Sequence, residues 1–454
     1  MGGLRKIARD TAILTCAALG MRCVGLAYQA WLARRIGAAG LGLWQLIASV
    51  NVLAATLAIS GIRFTTTRLV AEERGRGSPP GAAVLRCLAY ASFFGCGACL
   101  LLFFGAERIG FLWVGDARTV QSLRILAFTL PMIALSSVLN GCFIAGGRAW
   151  KSAVTQVAEL LVNVASVVLF LRRVGAGDLS GCCAAIARGA LAADAASLGL
   201  AAALSLPATE HRKRPRLPAG QLTGRMLRIA LPLALSAYAR TGLTTLEHLM
   251  VPKKLRAGGM GTEAALGGYG TITGMVLPVI GFPSCLLAAL AELSVPELTA
   301  AQVRGDLNAV RAAVRRLLKT GLLYSAAVTL LLFLAAPLLG ELLFHSEDVG
   351  RYLRILTPLV PVMYMDIVTD GCLKGLGQML RSMCYNISEA LLGVGFVALV
   401  LPRSGLTGFI ILIYLCELWN FSLSFSRLAK VAGLFSPQKG RAALSDGSQK
   451  RYDV

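Results

Sequence analysis

A long apolar segment of this sequence occurs twice. Residues 110–175 return as residues 340–405 at one constant offset. Polar and conformationally special residues match along with the apolar ones: Pro131 with Pro361, Gly141-Cys142 with Gly371-Cys372, Ser152 with Ser382, and Glu159 with Glu389. General similarity between apolar helices would explain matched leucines and valines, but not matched Pro, Gly, Ser and Glu. A repeat of this length and apolarity predicts a duplicated membrane bundle.

Twelve apolar segments are long enough to cross a membrane, since a span needs about 20 such residues. They cover residues 10–33, 41–62, 82–105, 122–144, 151–171, 181–206, 226–248, 268–291, 317–339, 352–373, 381–401 and 406–427. Only 15% of the residues are charged, against roughly 25% in soluble domains. The runs are continuous rather than alternating, which argues against a closed barrel. The sequence therefore predicts an all-α polytopic membrane protein.

The net charge of +22 is distributed unevenly between the loops. Nucleic-acid binding would concentrate this charge on one polar face, whereas here it lies in short loops between apolar runs, so no nucleic-acid partner is predicted. With a cytoplasmic N-terminus, the inside segments carry more than twice as many Lys and Arg residues as the outside loops. The positive-inside rule then predicts a multi-pass protein of the cytoplasmic membrane with both termini cytoplasmic.

A basic, polar segment divides the sequence near its middle. Residues 207–222 contain His211-Arg212-Lys213-Arg214 and separate six predicted spans from six others. We predict an N-lobe over residues 1–206, a cytoplasmic linker over 207–222, a C-lobe over 223–435 and a polar cytoplasmic tail over 436–454. Because each lobe has an even number of spans, a pseudo-two-fold axis along the membrane normal relates the two lobes. A central cavity is expected between them.

Four ionisable residues are candidates for lining that cavity: Arg22, Arg63, Arg240 and Glu247. Charged residues within a membrane are costly and usually face an interior. Arg22 and Arg240 lie in the first span of each lobe, so both are expected to face one cavity, where a guanidinium can bind two oxygens of a phosphate or pyrophosphate. The alternative is structural pairing, such as Arg240 with Glu247. Arg63 lies near a span end and could instead extend to the membrane surface.

Four carboxylates are candidates for ion coupling. Glu159 and Glu389 occupy matched positions in the fifth and eleventh spans; a buried carboxylate can exchange protons near neutral pH, although a hydrogen bond to a neighbouring helix is the alternative. Asp366 and Asp370 lie one turn apart on the tenth span. Their repeat mates are not acidic, so this acidic face belongs to the C-lobe alone and is a candidate cation site.

Prolines interrupt several predicted spans. Pro131 and Pro361 are repeat mates, and Pro278 and Pro283 lie in the eighth span. Proline removes a backbone hydrogen bond and bends a helix, so these four residues are candidate hinges for alternating access, although proline kinks also occur in other polytopic proteins. The twelve Cys and three His residues show no metal-ligand spacing, and no phosphate loop or catalytic triad is found. The sequence predicts no enzyme activity, no cofactor and no metal site.

One stretch, in the seventh and eighth spans, resembles a known family. It runs from Leu246-Glu247-His248 through Pro252-Lys253-Lys254 and Tyr269-Gly270 to Leu277-Pro278, and Leu373-Lys374-Gly375 agrees with it. This pattern resembles the stage V sporulation protein B-like members of the multidrug/oligosaccharidyl-lipid/polysaccharide (MOP) exporter superfamily, over almost the whole chain. The resemblance implies two six-helix lobes and outward movement of lipid-linked precursors. It also implies roles for Arg22, Arg63 and Arg240 like those of the cavity arginines of lipid II flippases.

Three functional hypotheses follow. The first is a flippase for a lipid-linked oligosaccharide or lipid II-type substrate in spore cortex or cell-envelope synthesis, with membrane lipids and cell-wall synthesis proteins as partners. The second is a proton- or sodium-coupled multidrug exporter, motivated by Glu159, Glu389 and Asp366. The third, a scaffold for cell-wall enzymes that transports nothing, requires none of the charged residues.

Overall fold

The computed structural model describes residues 2–76, 80–175, 177–205 and 219–434, with side chains described from Leu19 onward and not for 219–221. All regular structure in these ranges is helical. Residues 207–218 of the predicted linker and the whole of the predicted tail lie outside the described residues. The described helices of the first half are α1 (Gly2–Ile59), α2 (Ile62–Gly75), α3 (Gly81–Arg108), α4 (Val120–Ala127), α5 (Thr129–Ala145), α6 (Ala149–Leu171) and α7 (Leu179–Ser205).

The second half begins with the long helix α8 (Ala219–Ala257). It continues through α9 (Thr262–Gly270), α10 (Leu277–Gly281), α11 (Ser284–Val303), α12 (Leu307–Leu339), α13 (Glu347–Leu356), α14 (Val360–Gly375), α15 (Met379–Leu399) and α16 (Leu401–Val431). Three π-helical turns follow α3, α9 and α12, at Ile109–Val114, Thr271–Val276 and Gly340–Phe344. The helices are mostly longer than the predicted spans because several continue beyond the apolar run.

Ten helices in the described ranges are long and apolar enough to cross a membrane, or eleven if α4 and α5 count as one bent span. The twelve predicted segments lie almost entirely on helix. The counts differ because α1 covers two predicted spans, with a kink at Gly37, and because the predicted eighth span falls on helices on both sides of a break at Phe282-Pro283. In addition, α8 carries Arg240 and Glu247 and is too polar to be counted.

The repeat found in the sequence is also a repeat of structure. The turn Ile109–Val114 corresponds to Gly340–Phe344, α4 and α5 to α13 and α14, and α6 to α15. The backbone conformation also matches just after the C-terminal ends of α5 and α14. Gly147 has a φ of 66° and Gly377 a φ of 68°. The amide of Arg148 donates to the carbonyl of Phe143 at 2.9 Å, and that of Gln378 to Leu373 at 2.8 Å. This geometry supports an internal duplication.

Alanine at Gly147 or Gly377 is expected to destabilise the protein by about 1 kcal/mol at each site, because a Cβ is disfavoured at positive φ. An added Cβ would meet nothing within 4 Å at either position, so backbone strain alone is measured. The test is thermal unfolding in detergent, and the two effects should add because a Cβ at either site has no neighbour within 4 Å that the two sites could share. Gly175→Ala is the control, since that glycine lies in open space without a positive φ.

The four predicted hinge prolines all lie beside helix breaks. Pro131 and Pro361 lie at the beginning of α5 and α14, just after the chain bends at Phe128 and at Thr357–Leu359. Pro278 lies in the first turn of α10, and Pro283 directly precedes α11. These positions follow from the missing proline amide, which cannot donate within a helix but costs little in its first turn. Movement at the breaks remains a prediction.

The two lobes pack directly against each other at one end of the molecule, which we call the closed face (residues 34–42, 109–118, 253–266 and 340–347). A Cβ on Gly42 would collide with the carbonyl of Leu266, and one on Gly270 with the carbonyl of Ala38. Glycine at these positions lets the backbones of α1 and α9 approach closely. By the charge bias of the loops, the closed face is the one predicted to lie outside.

Candidate functional site

The N-lobe contains a cavity of about 490 Å³ between α1 and α6. Polar residues on one face of α6 line it, at positions 156, 159 and 163, opposite Arg22 of α1. Arg22 is exposed and forms no ion pair with any described residue. The side-chain oxygen of Asn163 is buried without a hydrogen-bond partner. The cavity therefore has an unpaired cation and an unused acceptor in its wall.

The C-lobe contains a second cavity, of about 370 Å³, between α8, α14 and α15. Its wall includes Arg240 of α8, Asp370 and Lys374 of α14, and Ser382 and Asn386 of α15. The Lys374 Nζ lies 2.6 Å from Asp370 Oδ2, and the Ser382 hydroxyl donates to the same carboxylate. Asp370 is thus already neutralised and hydrogen-bonded. Arg240 is left as the unpaired charge among the lining residues.

The two cavities are equivalent in the repeat. Gln156 of α6 is the mate of Asn386 of α15, and each faces an arginine from the first long helix of its own lobe. In the structure each arginine lines a cavity of its own lobe; that Arg22 and Arg240 also share one central cavity stays a prediction. The positions of α6 and α15 relative to α1 and α8 determine which residues line each cavity. The sequence pattern of α1 and α8 alone does not predict these positions.

Arg63 and Glu247 line neither cavity. Arg63 is exposed on α2, and its side chain forms no ion pair within the described ranges. Glu247 is directed from α8 towards α15, where a Cβ on Gly393 would overlap its carboxylate. The predicted alternative of an Arg240–Glu247 pair is not found among the described ion pairs. Arg240 instead lies within electrostatic range of Glu389.

Acidic side chains from four helices gather in the C-lobe behind the Arg240 cavity. Glu389 interacts electrostatically with Asp366 and Glu247, and Glu417 of α16 interacts with both Asp366 and Glu389. No role was predicted for Glu417 from the sequence. Its signal was present, because an ionisable residue within an apolar span usually faces an interior.

Asn420 joins this cluster to α15. Its Nδ2 donates to Asp366 Oδ2 and to Asn386 Oδ1, each at 3.2 Å. The second carboxylate oxygen of Asp366 and the side-chain oxygen of Asn420 are both buried without a partner. Two unused acceptors on hydrogen-bonded residues suit a proton or a monovalent cation. In the part of the chain that the structure describes, no three His, Cys, Asp or Glu side chains form a metal-binding group.

Glu159 has an acidic neighbour in the N-lobe. It lies close to Asp194 of α7 and to the side chain of Ser197. Its repeat mate Glu389 likewise lies among carboxylates, so the two glutamates have related surroundings. Asp194 is visible in the sequence as an ionisable residue within a predicted span, but no role was predicted for it. The candidate coupling residues therefore separate into a pair in the N-lobe and a larger cluster in the C-lobe.

Two family models match the sequence. The model described as polysaccharide biosynthesis protein matches residues 7–282, more than half of the chain. The chain belongs to this family. A second model, MatE, matches residues 255–399. The two matches together cover residues 7–399, which include all of the residues that line the two cavities.

Two curated relatives of this family member come from Bacillus subtilis (strain 168). Stage V sporulation protein B of Bacillus subtilis (strain 168) is 24% identical over 409 residues, covering 88% of this chain and 79% of the relative. Sporulation protein YkvU of the same strain is 20% identical over 391 residues, covering 85% of this chain and 86% of the relative. The predicted resemblance to stage V sporulation protein B is confirmed.

Solved structures of MOP superfamily transporters have the same fold. An inward-facing multidrug resistance MATE family transporter matches with a TM-score of 0.72 and 16% identity, covering 92% of this chain and 96% of that one. A MOP superfamily transporter from Pyrococcus furiosus Vc1 (DSM3638), described as having a binding pocket of reverse polarity, matches with a TM-score of 0.65 and 18% identity, covering 93% and 96%. The predicted all-α, two-lobe membrane fold is confirmed.

Proposed function

We propose that this family member is a flippase that moves a lipid-linked oligosaccharide or peptidoglycan precursor outward across the cytoplasmic membrane by alternating access. Its role would be in spore cortex or cell-envelope synthesis. The observation that carries the proposal is Arg240, an unpaired cation in a cavity whose one lining carboxylate, Asp370, is already paired with Lys374. An anionic headgroup would complete this site.

The chemistry of the two arginines supports a pyrophosphate-linked substrate. A guanidinium binds two phosphate oxygens at once, and Arg22 and Arg240 are both free of ion pairs with described residues. Their cavities of about 490 and 370 Å³ lie in the range of small-molecule sites. That volume suits a pyrophosphate and adjoining sugars, while a long polyprenyl chain would remain in the bilayer.

The direction of transport follows from the predicted orientation. The bias of Lys and Arg residues supports cytoplasmic termini, and the closed face would then be the outer one. Lys374 and Met379 of the C-lobe cavity flank the connection between α14 and α15 at the opposite end. A substrate would enter a cavity from the cytoplasmic side and leave after the closed face opens. Membrane lipids would surround the protein, and cell-wall synthesis proteins would supply and consume the substrate.

The carboxylates are the candidates for coupling this movement to an ion gradient. Asp366 has one carboxylate oxygen bound to Asn420 and one without a partner, so it can take up a proton or a sodium ion without breaking an existing contact. Glu389 and Glu159 lie in related surroundings in the two lobes. Asp370 is less suited, since Lys374 and Ser382 already occupy its oxygens.

Replacing Asp366 with Asn is expected to remove the dependence of transport on a proton or sodium gradient and to slow it about tenfold, because the amide keeps the shape but not the charge. The measurement is the transport rate in proteoliposomes with and without each gradient. Asp348→Asn, at an exposed acid in the first turn of α13, is the control and should behave as the native protein does. An undiminished gradient response in Asp366→Asn would assign coupling to other residues.

The alternative function is a proton- or sodium-coupled multidrug exporter. The unpartnered acceptors at Asp366 and Asn420 favour it, since a drug cation could use the same acidic cluster. In such an exporter the acids would determine activity and the arginines would matter little. In a flippase, replacing the arginines should reduce transport more than replacing the acids. One set of variants therefore separates the two functions.

A further inference from the structure

Two π-helical turns occupy equivalent positions in the two lobes. The first, Ile109–Val114, ends at Gly115 with a φ of 75°, and the second, Gly340–Phe344, ends at His345 with a φ of 50°. The chain reverses in the same way at both, since the amide of Asp116 donates to the carbonyl of Gly110 at 3.0 Å and that of Ser346 to Gly340 at 3.2 Å. Carbonyls at the end of each turn lack partners within the helix. They also carry the negative end of the helix dipole.

Cationic side chains of each lobe donate hydrogen bonds to the turn of the opposite lobe. Lys253 of α8 donates to the carbonyl of Leu112, and Arg256 Nη1 donates to that of Gly115 at 3.5 Å. In the other direction, Arg34 of α1 donates through Nε to the carbonyl of Leu343 at 2.7 Å and through Nη2 to that of Leu342. The donors come from the first long helix of each lobe. The contact is therefore reciprocal and follows the duplication.

An ion-pair group lies beside this pair of contacts. Arg118 Nη2 is 2.7 Å from Asp116 Oδ2 within the N-lobe, and its Nη1 is 3.1 Å from Glu263 Oε1 of the C-lobe. All of these contacts lie on the closed face. Three separate polar links thus connect the lobes at the end where α1 and α9 also approach most closely.

We propose that Arg34, Lys253 and Arg256 form a reciprocal latch that holds the closed face shut and opens as one unit when the lobes separate. This proposal rests on alternating access, which is part of the proposed function. The acceptors are backbone carbonyls of the two turns, so replacing the donor side chains removes the latch contacts without changing the acceptors. Because the lobes move as bodies, loss of either half favours separation at both. These are positioning residues: they act on the equilibrium between conformations and touch no substrate.

The test is hydrogen–deuterium exchange of the substrate-free protein in nanodiscs. Arg34→Ala is expected to raise exchange about tenfold, because its two charged hydrogen bonds to the turn are lost. The rise is expected at residues 340–346 and also at 109–116, which Arg34 does not contact. The double variant Lys253→Ala/Arg256→Ala should raise exchange at the same two segments. Arg351→Ala, at an exposed cation of α13 without a described contact to the other lobe, is the control and should leave both unchanged.

A rise confined to the segment that each replaced residue touches would overturn the latch, because it would show two local contacts and no coupling. An unchanged exchange pattern at both segments would overturn it as well. The experiment uses no substrate, so the latch can fail while the flippase proposal stands. Conversely, a protein that moves no lipid can still show the coupled exchange.

Discussion

Replacing Arg240 with alanine is expected to slow outward translocation of a fluorescent lipid II analogue by roughly 10- to 150-fold. A hydrogen bond to a charged group contributes about 1.5–3 kcal/mol, and about 1.4 kcal/mol corresponds to a tenfold rate change. No other unpaired cation lines the C-lobe cavity among its described residues, so the loss is not compensated locally. The measurement is the transport rate in proteoliposomes containing equal amounts of folded protein. Arg22→Ala is expected to act in the same direction in the N-lobe cavity.

Two variants separate a substrate contact from a general effect of charge. Arg188→Ala removes an exposed arginine of α7 that lines neither cavity and should transport as the native protein does. Arg240→Lys keeps the charge but loses the planar fork, so an intermediate rate is expected. Equal losses for Arg188→Ala and Arg240→Ala would contradict a specific site.

Alanine at Gly270 is expected to destabilise the closed conformation by about 1–3 kcal/mol, the range for inserting a methyl group into a packed contact. The added Cβ would collide with the carbonyl of Ala38 and the backbone of Gly42, so α1 and α9 must move apart. Backbone atoms cannot rotate away as a flexible side chain can. The measurements are thermal unfolding in detergent, where the midpoint should fall by several degrees, and transport, which should slow because the closed face no longer seals.

Gly267→Ala is the matched control on the same helix. A Cβ there would meet its nearest neighbour, the amide nitrogen of Ala39, only at 4.0 Å, so little change is expected. If both variants behaved alike, helix propensity rather than the close approach of α1 and α9 would explain the result. That outcome would remove the packing argument for the closed face.

The sequence predicted the fold well because its main determinants are local. Each apolar run must form its hydrogen bonds within a helix once it lies in lipid, so composition alone predicts an all-α fold. The repeat predicted the paired architecture, and Pro131 and Pro361 predicted the paired breaks. The π turns and the kink of α1 at Gly37 could not be predicted in this way, because they depend on how the lobes pack.

The candidate site was predicted only in part. Individual charged residues were visible because they interrupt apolar runs, but their distances from one another were not. Asp370, for example, is paired with Lys374 one turn away. The link from Asn420 to Asp366 joins residues 54 positions apart in the sequence. Such contacts are determined by how the helices pack together. The periodicity of a single helix does not predict which residues of other helices it will contact.

The measurement that tests the central proposal most directly is movement of a fluorescent lipid II analogue by the native protein in proteoliposomes, beside export of a lipophilic cation under a proton gradient. The flippase predicts movement of the lipid, with strong loss in Arg240→Ala and Arg22→Ala. It would be contradicted by a native protein that leaves the lipid in place but exports the cation, with that export lost in Asp366→Asn. The acidic cluster would then be the site, and the protein a drug exporter.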